Sequence, residues 1–305
     1  YQYGIGNYFV IWTYVGTNGS VQQSQQITVL EDLTPPNAQC KPVNVNLSSS
    51  NPGSVSVNAT AFNNNSTDNC SIVGYSFSVN GGAYSSSKMF GCSEVGVHNI
   101  SLEVLDFNGN KGYCATTLTI NDVTPPTIIG GCPSNLSVNT SNDGGYNCSG
   151  LATIPVPNVS DNCAIGSYTL TLNGPDGISN LNAQISNPLF ATLSKGLTNA
   201  TYTVIDEHGL SANCSFSITV IDNELPGITC AASGSRNTSA DGQGDCEYTI
   251  NGNEFDPISF IDNCPGATIT NSLNNSSSLA GVVLTTGTYP VTWTVTDAVG
   301  LTATC

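Results

Sequence analysis

Basic side chains are scarce: Lys and Arg together number five in 305 residues, against 21 Asp and Glu, for a formal net charge of -16. A phosphate backbone or an anionic bilayer surface would be repelled, so no nucleic-acid partner is expected. Charged residues make up only 9% of the chain, well below the ~25% of an average globular protein. Even so, no apolar run approaches the ~20 residues that span a bilayer, and no N-terminal stretch is laid out like a signal peptide; membrane insertion is not expected. Histidine is scarcer still, with two residues. No Cys-x-x-Cys pair occurs, which argues against a zinc centre. No Gly-rich phosphate loop is present, and neither His98 nor His208 shares a motif with a Ser or Cys nucleophile. Glu31-Asp32 and Asp206-Glu207 are paired carboxylates, but they fall in linkers and turns, where solvation explains them better than acid–base chemistry. An enzyme is not expected.

What is present is Asn, Ser and Thr in place of charge, and twelve cysteines spread over the whole chain. An even number at this density reads as a disulfide framework formed in an oxidising compartment, so the expected location is extracellular or on the cell surface.

Self-similarity fixes the organisation. Asp32-Leu33-Thr34-Pro35-Pro36 returns as Asp122-Val123-Thr124-Pro125-Pro126 and, decayed, as Asp222-Asn223-Glu224-Leu225-Pro226. Upstream of each Asp sits Ser24, Cys114 or Cys214, preceded by Gly19, Gly109 or Gly209, and before that by Trp12, Leu102 or Tyr202. Trp293, Gly300 and Cys305 repeat that frame. The expected domains are residues 35–124, 125–224 and 225–305, the last without its final strand, preceded by the closing strands of a partial repeat in 1–34. Tyr289, Val291, Trp293 and Val295 alternate with polar residues, the period of a half-buried strand. Asp106-Phe107-Asn108-Gly109, Asp206-Glu207-His208-Gly209 and Asp297-Ala298-Val299-Gly300 read as turns. No 3.6-residue periodicity appears, so the fold class is all-β, as tandem immunoglobulin-like sandwiches of ~100 residues. The Pro-Pro pairs restrict their own φ and that of the preceding residue, which favours domains standing end to end in an extended rod.

An early Cys after the Pro linker, a central Asp-Asn-Cys and a late Thr-x-Thr-Asp-x-x-Gly-x-x-x-x-Cys together resemble the hyalin repeat (HYR) family. Asp68-Asn69-Cys70, Asp161-Asn162-Cys163 and Asp262-Asn263-Cys264 carry the central motif. The resemblance covers nearly the whole chain. It implies immunoglobulin-like β-sandwiches in extracellular structural or adhesive proteins, and it implies no catalysis.

Each complete repeat holds four cysteines, and comparison among repeats narrows the pairing. First and last cysteines keep their places while a third moves. This predicts Cys40–Cys114, Cys132–Cys214 and Cys230–Cys305. The Asp-Asn-Cys thiol is left to the moving partner, as Cys70–Cys92, Cys148–Cys163 and Cys246–Cys264.

Sixteen Asn-x-Ser/Thr sequons occur. Those at Asn18, Asn46, Asn58, Asn65, Asn99, Asn135, Asn139, Asn158, Asn199, Asn237 and Asn275 are the candidates for N-linked glycans, provided they are exposed. Asn69, Asn147 and Asn213 are poorer candidates because a cysteine follows each. No organic cofactor is expected. Calcium is the one metal worth arguing, at Asp32, Asp122 and Asp222, where hard oxygen ligands at a junction would stiffen a linker. The competing role for an Asp in such turns, bonding its own backbone, is the commoner one.

Two functions remain. The first is a structural subunit of a glycosylated extracellular filament, its partners being copies of itself joined by strand complementation. In that reading Tyr8–Tyr14, Ile27–Val29 or both enter the unfinished third repeat of a neighbour. The second is the stalk of a cell-surface adhesin. A covalently continuous array, in which 1–34 complete a preceding domain, is the plain alternative to donation.

Overall fold

The computed structural model describes residues 4–142, 144–184, 187–240, 242 and 244–305. Among them the regular structure is β-strand, with two single-turn 3-10 helices and no α-helix. The chain divides into two compact units. One holds residues up to Thr124 together with Asp161–Ala164; the other holds Pro125–Ser160 and Ile165–Cys305.

In the first unit a four-stranded sheet runs Val43–Asn46, Lys111–Asn121, Gly96–Asp106, Ile72–Val79 in spatial order. The first pair is parallel and the others antiparallel. Strand Gly96–Asp106 shows why the sequence folds this way. Ile100, Leu102, Val104 and Asp106 are buried while the residues between them are not, so alternation directs one face to the core. A two-stranded sheet of Ser54–Asn58 and Ser87–Gly91 supplies the other wall. Val57, Phe62, Phe77 and Phe90 meet Leu102 and Leu118 between the walls. Each such side chain contributes about 1.5–3 kcal/mol by burial. Two sheets over one core, strands joined by short turns, make this an immunoglobulin-like sandwich.

The second unit repeats the plan. Its five-stranded sheet runs Leu136–Asn139, Ser211–Ile221, Gly196–Asp206, Ile165–Gly174, Gly177–Asn182. Ser149–Ile154 pairs with Leu189–Ser194 in the smaller sheet. Tyr202 is fully buried, 5.4 Å from Tyr168 and 5.9 Å from Phe216 by ring centroids. Its hydroxyl donates to the Pro155 carbonyl at 2.9 Å, and that of Tyr168 to Pro157 at 3.0 Å. Burial pushes the Tyr168 phenol up to about 12 and that of Tyr202 further.

Residues 225–305 form smaller sheets: Thr268–Asn271, Trp293–Thr296 and Thr302–Thr304 in one, Tyr248–Thr249 with Val283–Leu284 in another. Their buried cluster is only Tyr248, Ile250, Leu279 and Trp293. The alternation from Tyr289 predicts a strand beginning there, but the strand begins at Trp293. Its counterparts Gly96–Asp106 and Gly196–Asp206 start earlier because Gly96 pairs with Ile120 and Gly196 with Val220. In the third repeat 289–292 carries no strand structure, although the Thr292 carbonyl accepts the Ser272 N–H at 2.9 Å.

The hairpin Gly6–Gly16/Gly19–Val29 forms a sheet of its own. Phe9, Trp12, Tyr14 and Val15 on it are 65, 63, 77 and 75% exposed. Its register departs from the repeat frame by one residue. Leu102 faces Cys114 and Tyr202 faces Cys214, yet Trp12 faces Gln23 and not Ser24. The cause is the turn. Asp106, Asp206 and Asp297 each accept two backbone N–H bonds that hold a five-residue loop open. Gly16 occupies that place in the hairpin and cannot, so Gly16–Gly19 closes tightly.

Cys40–Cys114, Cys132–Cys214 and Cys230–Cys305 are bonded. The other pairing requires correction: Cys70–Cys92, Cys148–Cys163 and Cys246–Cys264 do not form. The bonds present are Cys92–Cys163 and Cys148–Cys264, and Cys70 and Cys246 carry free, exposed thiols. The expectation assumed that each repeat closes its own bonds. Instead the moving cysteine of one repeat takes the Asp-Asn-Cys thiol of the next in sequence. The 3-10 turn Cys92–Glu94 lies against segment 161–164, so Cys92 meets Cys163, while the Asp68 carboxylate holds the Cys70 N–H in an outward turn.

Candidate functional site

The third repeat carries an open groove of about 920 Å³. Its floor is what should be core: Ile250, Phe255, Leu279, Leu284 and Trp293. In the first repeat the corresponding space is closed by Val43–Asn46 lying parallel to Leu118–Asn121, and in the second by Leu136–Asn139 along Ile218–Ile221. In the third, residues 231–238 border the groove without strand structure. A cleft bounded by unpaired backbone and apolar side chains is what an added β-strand satisfies.

The second candidate is a carboxylate cluster. One oxygen from each of Asp222, Asp262 and Asp297 lies within 4.8 Å of the others. Three motifs deliver them: the junction Asp, the Asp-Asn-Cys Asp and the turn Asp. Each spends one oxygen on its local backbone. Asp222 Oδ1 accepts from Glu224 N at 3.4 Å, Asp262 Oδ2 from Cys264 N at 3.2 Å, and Asp297 Oδ1 from Leu301 N at 2.7 Å. The remaining oxygens of Asp262 and Asp297 are buried and without a hydrogen-bond partner, while Asp222 Oδ2 accepts from Lys195 Nζ at 3.1 Å. For Asp262 and Asp297 the two roles, turn cap and cation ligand, therefore fall on different oxygens of one carboxylate. Burial, and then the charges of Asp222 and Asp297, push the Asp262 carboxyl upward. An all-oxygen, multiply anionic donor set with orphaned buried atoms fits a hard cation such as Ca²⁺. Sequence reading reached Asp222 by its junction position. The recurring Asp of Asp-Asn-Cys was the signal for a second ligand.

The cluster at Asp32 differs. Asp68 and the Cys70 thiol are its neighbours, and donation from the Thr34 N–H and then from the thiol lowers the Asp32 carboxyl to about 2. A thiol in place of a third oxygen makes it a poorer calcium site. Asp122 Oδ1 accepts from Thr124 N and from the Asn162 amide, both at 3.1 Å.

All eleven candidate sequon asparagines are exposed: Asn18, Asn46, Asn58, Asn65, Asn99, Asn135, Asn139, Asn158, Asn199, Asn237 and Asn275. Asn147 is half-buried and its Oδ1 accepts from Ser149. The His98 ring meets the Glu94 carbonyl at 2.7 Å and the Asn80 amide at 3.2 Å, a structural role. No helix among the described residues is long and apolar enough to cross a membrane.

No protein-family model matches the chain, and no curated protein does. Solved structures align with it at low similarity. Protocadherin gamma B7 extracellular cadherin domains 1–4 align at 14% identity over 98% of this chain and 82% of that one, with a TM-score of 0.31. Titin I-band domains I67–I69 align at 10% over 90% and 97%, TM-score 0.35. A Ca²⁺-stabilized, ice-binding adhesin of an Antarctic bacterium aligns at 12% over 98% and 80%, TM-score 0.30.

Proposed function

We propose that the protein is a structural subunit of an extracellular, glycosylated filament or surface appendage, in which copies of this chain join head to tail by strand complementation. The groove of the third repeat carries the reading: a core floor of Ile250, Leu279 and Trp293 lies in a cleft that an added strand could fill. The hairpin Gly6–Val29 is the complementary half, two paired strands with both faces exposed. An isolated hairpin is marginal in water, and a covering partner would stabilise it. Insertion of one element into the other does not close on itself, so its repetition gives a fibre. Five disulfides fit formation outside a reducing cytosol. Calcium at Asp222, Asp262 and Asp297 would neutralise the cluster beside that repeat. The chain acts through shape and assembly and performs no catalysis.

Trp12 and Trp293 are the two tryptophans, one exposed and one buried, which makes the test direct. In a Trp293→Phe background, Trp12 emission should shift to the blue as assembly proceeds, and deletion of 5–30 should leave particles that do not elongate in electron micrographs. If the deletion variant assembles normally and Trp12 stays solvated, complementation is wrong. Unassembled single particles at every concentration would favour the adhesin stalk.

A further inference from the structure

We propose that Cys246 of one copy forms a disulfide with Cys70 of the next, so that the filament is covalently continuous. The inference rests on the head-to-tail reading above, but on different residues. Twice within the chain an Asp-Asn-Cys motif acts as a plug in a socket offered by the preceding repeat. Asn162 is 2% exposed. Its amide donates to the Ser48 carbonyl at 3.1 Å, its own carbonyl accepts the Gly53 N–H at 2.7 Å, and Cys163 beside it is bonded to Cys92. Asn263 donates to Thr140 Oγ1 at 3.0 Å and to the Asn147 carbonyl at 3.2 Å, and Cys264 is bonded to Cys148.

The third plug has the same internal build. The Cys70 N–H bonds to Asp68 Oδ2 at 2.9 Å, as the Cys163 N–H bonds to Asp161 Oδ2 at 2.8 Å. Yet Asn69 and Cys70 are exposed.

The third socket has likewise been built and left open. The loop that presents Cys148 is closed by Ser141 N to Ser149 O at 2.8 Å, with Ser141 at φ 54°. The loop that presents Cys246 is closed by Ser239 N to Glu247 O at 2.7 Å, with Ser239 at φ 61°. Gly144 N to Ser141 O at 3.0 Å is matched by Gly242 N to Ser239 O at 3.1 Å. Thr238 stands where Thr140 receives Asn263, but Thr238 is exposed while Thr140 is 3% exposed. Among the described residues one plug, at Cys70, and one socket, at Cys246, are vacant; they are complementary, and a second copy of the chain supplies both.

Bond formation is thiol–disulfide exchange. The Cys246 and Cys70 thiols lose two protons and two electrons to a disulfide-class oxidant, small-molecule or protein, which leaves as two thiols.

The test uses the assembled full chain, with glutathione disulfide as oxidant. On a non-reducing gel the wild type should give a ladder that reductant collapses to monomer. Cys70→Ser and Cys246→Ser should each run as monomer. Mixed together they should give a dimer and nothing longer, because each supplies the half the other lacks. Peptide mapping should find Cys70 joined to Cys246. A Cys70–Cys70 or Cys246–Cys246 bridge, a bridge from Cys70 to any other cysteine, a ladder that survives either substitution, or complete alkylation of both thiols in the assembled wild type would overturn the proposal. The double variant separates this from strand donation: it should still elongate by complementation, yet disperse in denaturant where the wild type stays linked. A ladder in a chain lacking 5–30 would uphold the disulfide and refute donation.

Discussion

Asp262→Asn is the substitution with the most informative sign. One oxygen of Asp262 lies within 4.8 Å of oxygens from both Asp222 and Asp297. At that separation and an effective dielectric of ~20, two carboxylates repel by about 3.5 kcal/mol. Lys195 at 3.1 Å offsets part of the Asp222 charge, yet Asp222 and then Asp297 both repel Asp262. Solvent reaches part of Asp262 and screens it, which reduces the expected relief to about 1–2 kcal/mol. The amide keeps an oxygen to accept the Cys264 N–H, so the turn survives. In EGTA the variant should therefore melt higher than the wild type, by about 4–16 °C for a domain of this size. Calcium should invert the order. At a free concentration 100 times the dissociation constant it would stabilise the wild type by about 2.7 kcal/mol, and the variant, short of a ligand charge, by much less. The pH dependence has a fixed sign. Because the Asp262 carboxyl is raised, its unfavourable contribution is present above that raised pKa and fades as pH falls through it, so the advantage of Asp262→Asn in EGTA should shrink on acidification. Calorimetry in EGTA and in CaCl2 reads all of this. A wild-type melting temperature indifferent to calcium, or a variant that melts lower in EGTA, would refute the electrostatic account.

Other expectations follow from single contacts. Tyr202→Phe removes the hydrogen bond to the Pro155 carbonyl and should cost about 0.5–1.5 kcal/mol in denaturant unfolding, though the ring is kept. Phe62→Ala empties a fully buried site 5.1 Å from the Phe77 ring and should cost about 3–5 kcal/mol. Asp32 should titrate near 2 by NMR. Its folded pKa is depressed, so its contribution is present above the ordinary carboxylate range and lost as pH falls toward 2; Cys70→Ala should raise that pKa by removing the thiol donor. Peptide mass spectrometry of the native protein should find hexosamine-bearing Asn at several of the eleven exposed sequons, and finding every one bare would remove glycosylation from the proposed function.

Much of the sandwich was legible because alternation and turn chemistry are local. Ile100, Leu102 and Val104 declare a buried face, and Asp106 with Gly109 declares the turn that follows. The errors arose where a neighbour outside the local window decided the outcome. Tyr289 and Val291 alternate as a strand should, yet the strand begins only at Trp293. Trp12 misses Ser24 by one residue because Gly16 cannot cap its turn as Asp106 does. The first and last cysteines of a repeat were readable since both belong to one sandwich. Cys92 and Cys148 were not, because their partners lie in the next repeat and nothing in a single repeat's sequence marks a bond as leaving it. The junction Asp222 was visible as a candidate ligand, whereas its convergence with Asp262 and Asp297 required three separate motifs to be placed in space.

The five disulfides also overlap along the sequence. Cys92 lies inside the span of Cys40–Cys114, Cys132 inside Cys92–Cys163, Cys148 inside Cys132–Cys214, and Cys230 inside Cys148–Cys264, which reaches toward Cys305. Every peptide bond between Cys40 and Cys305 is therefore bridged by at least one sulfur link. A protease that cuts once anywhere in that stretch produces a nick and no release, since the two pieces remain one molecule until reductant arrives. The segment before Cys40, hairpin included, lies outside every such bridge and can be shed by a single cleavage. Damage tolerance of this kind suits a molecule that persists where nothing will repair it.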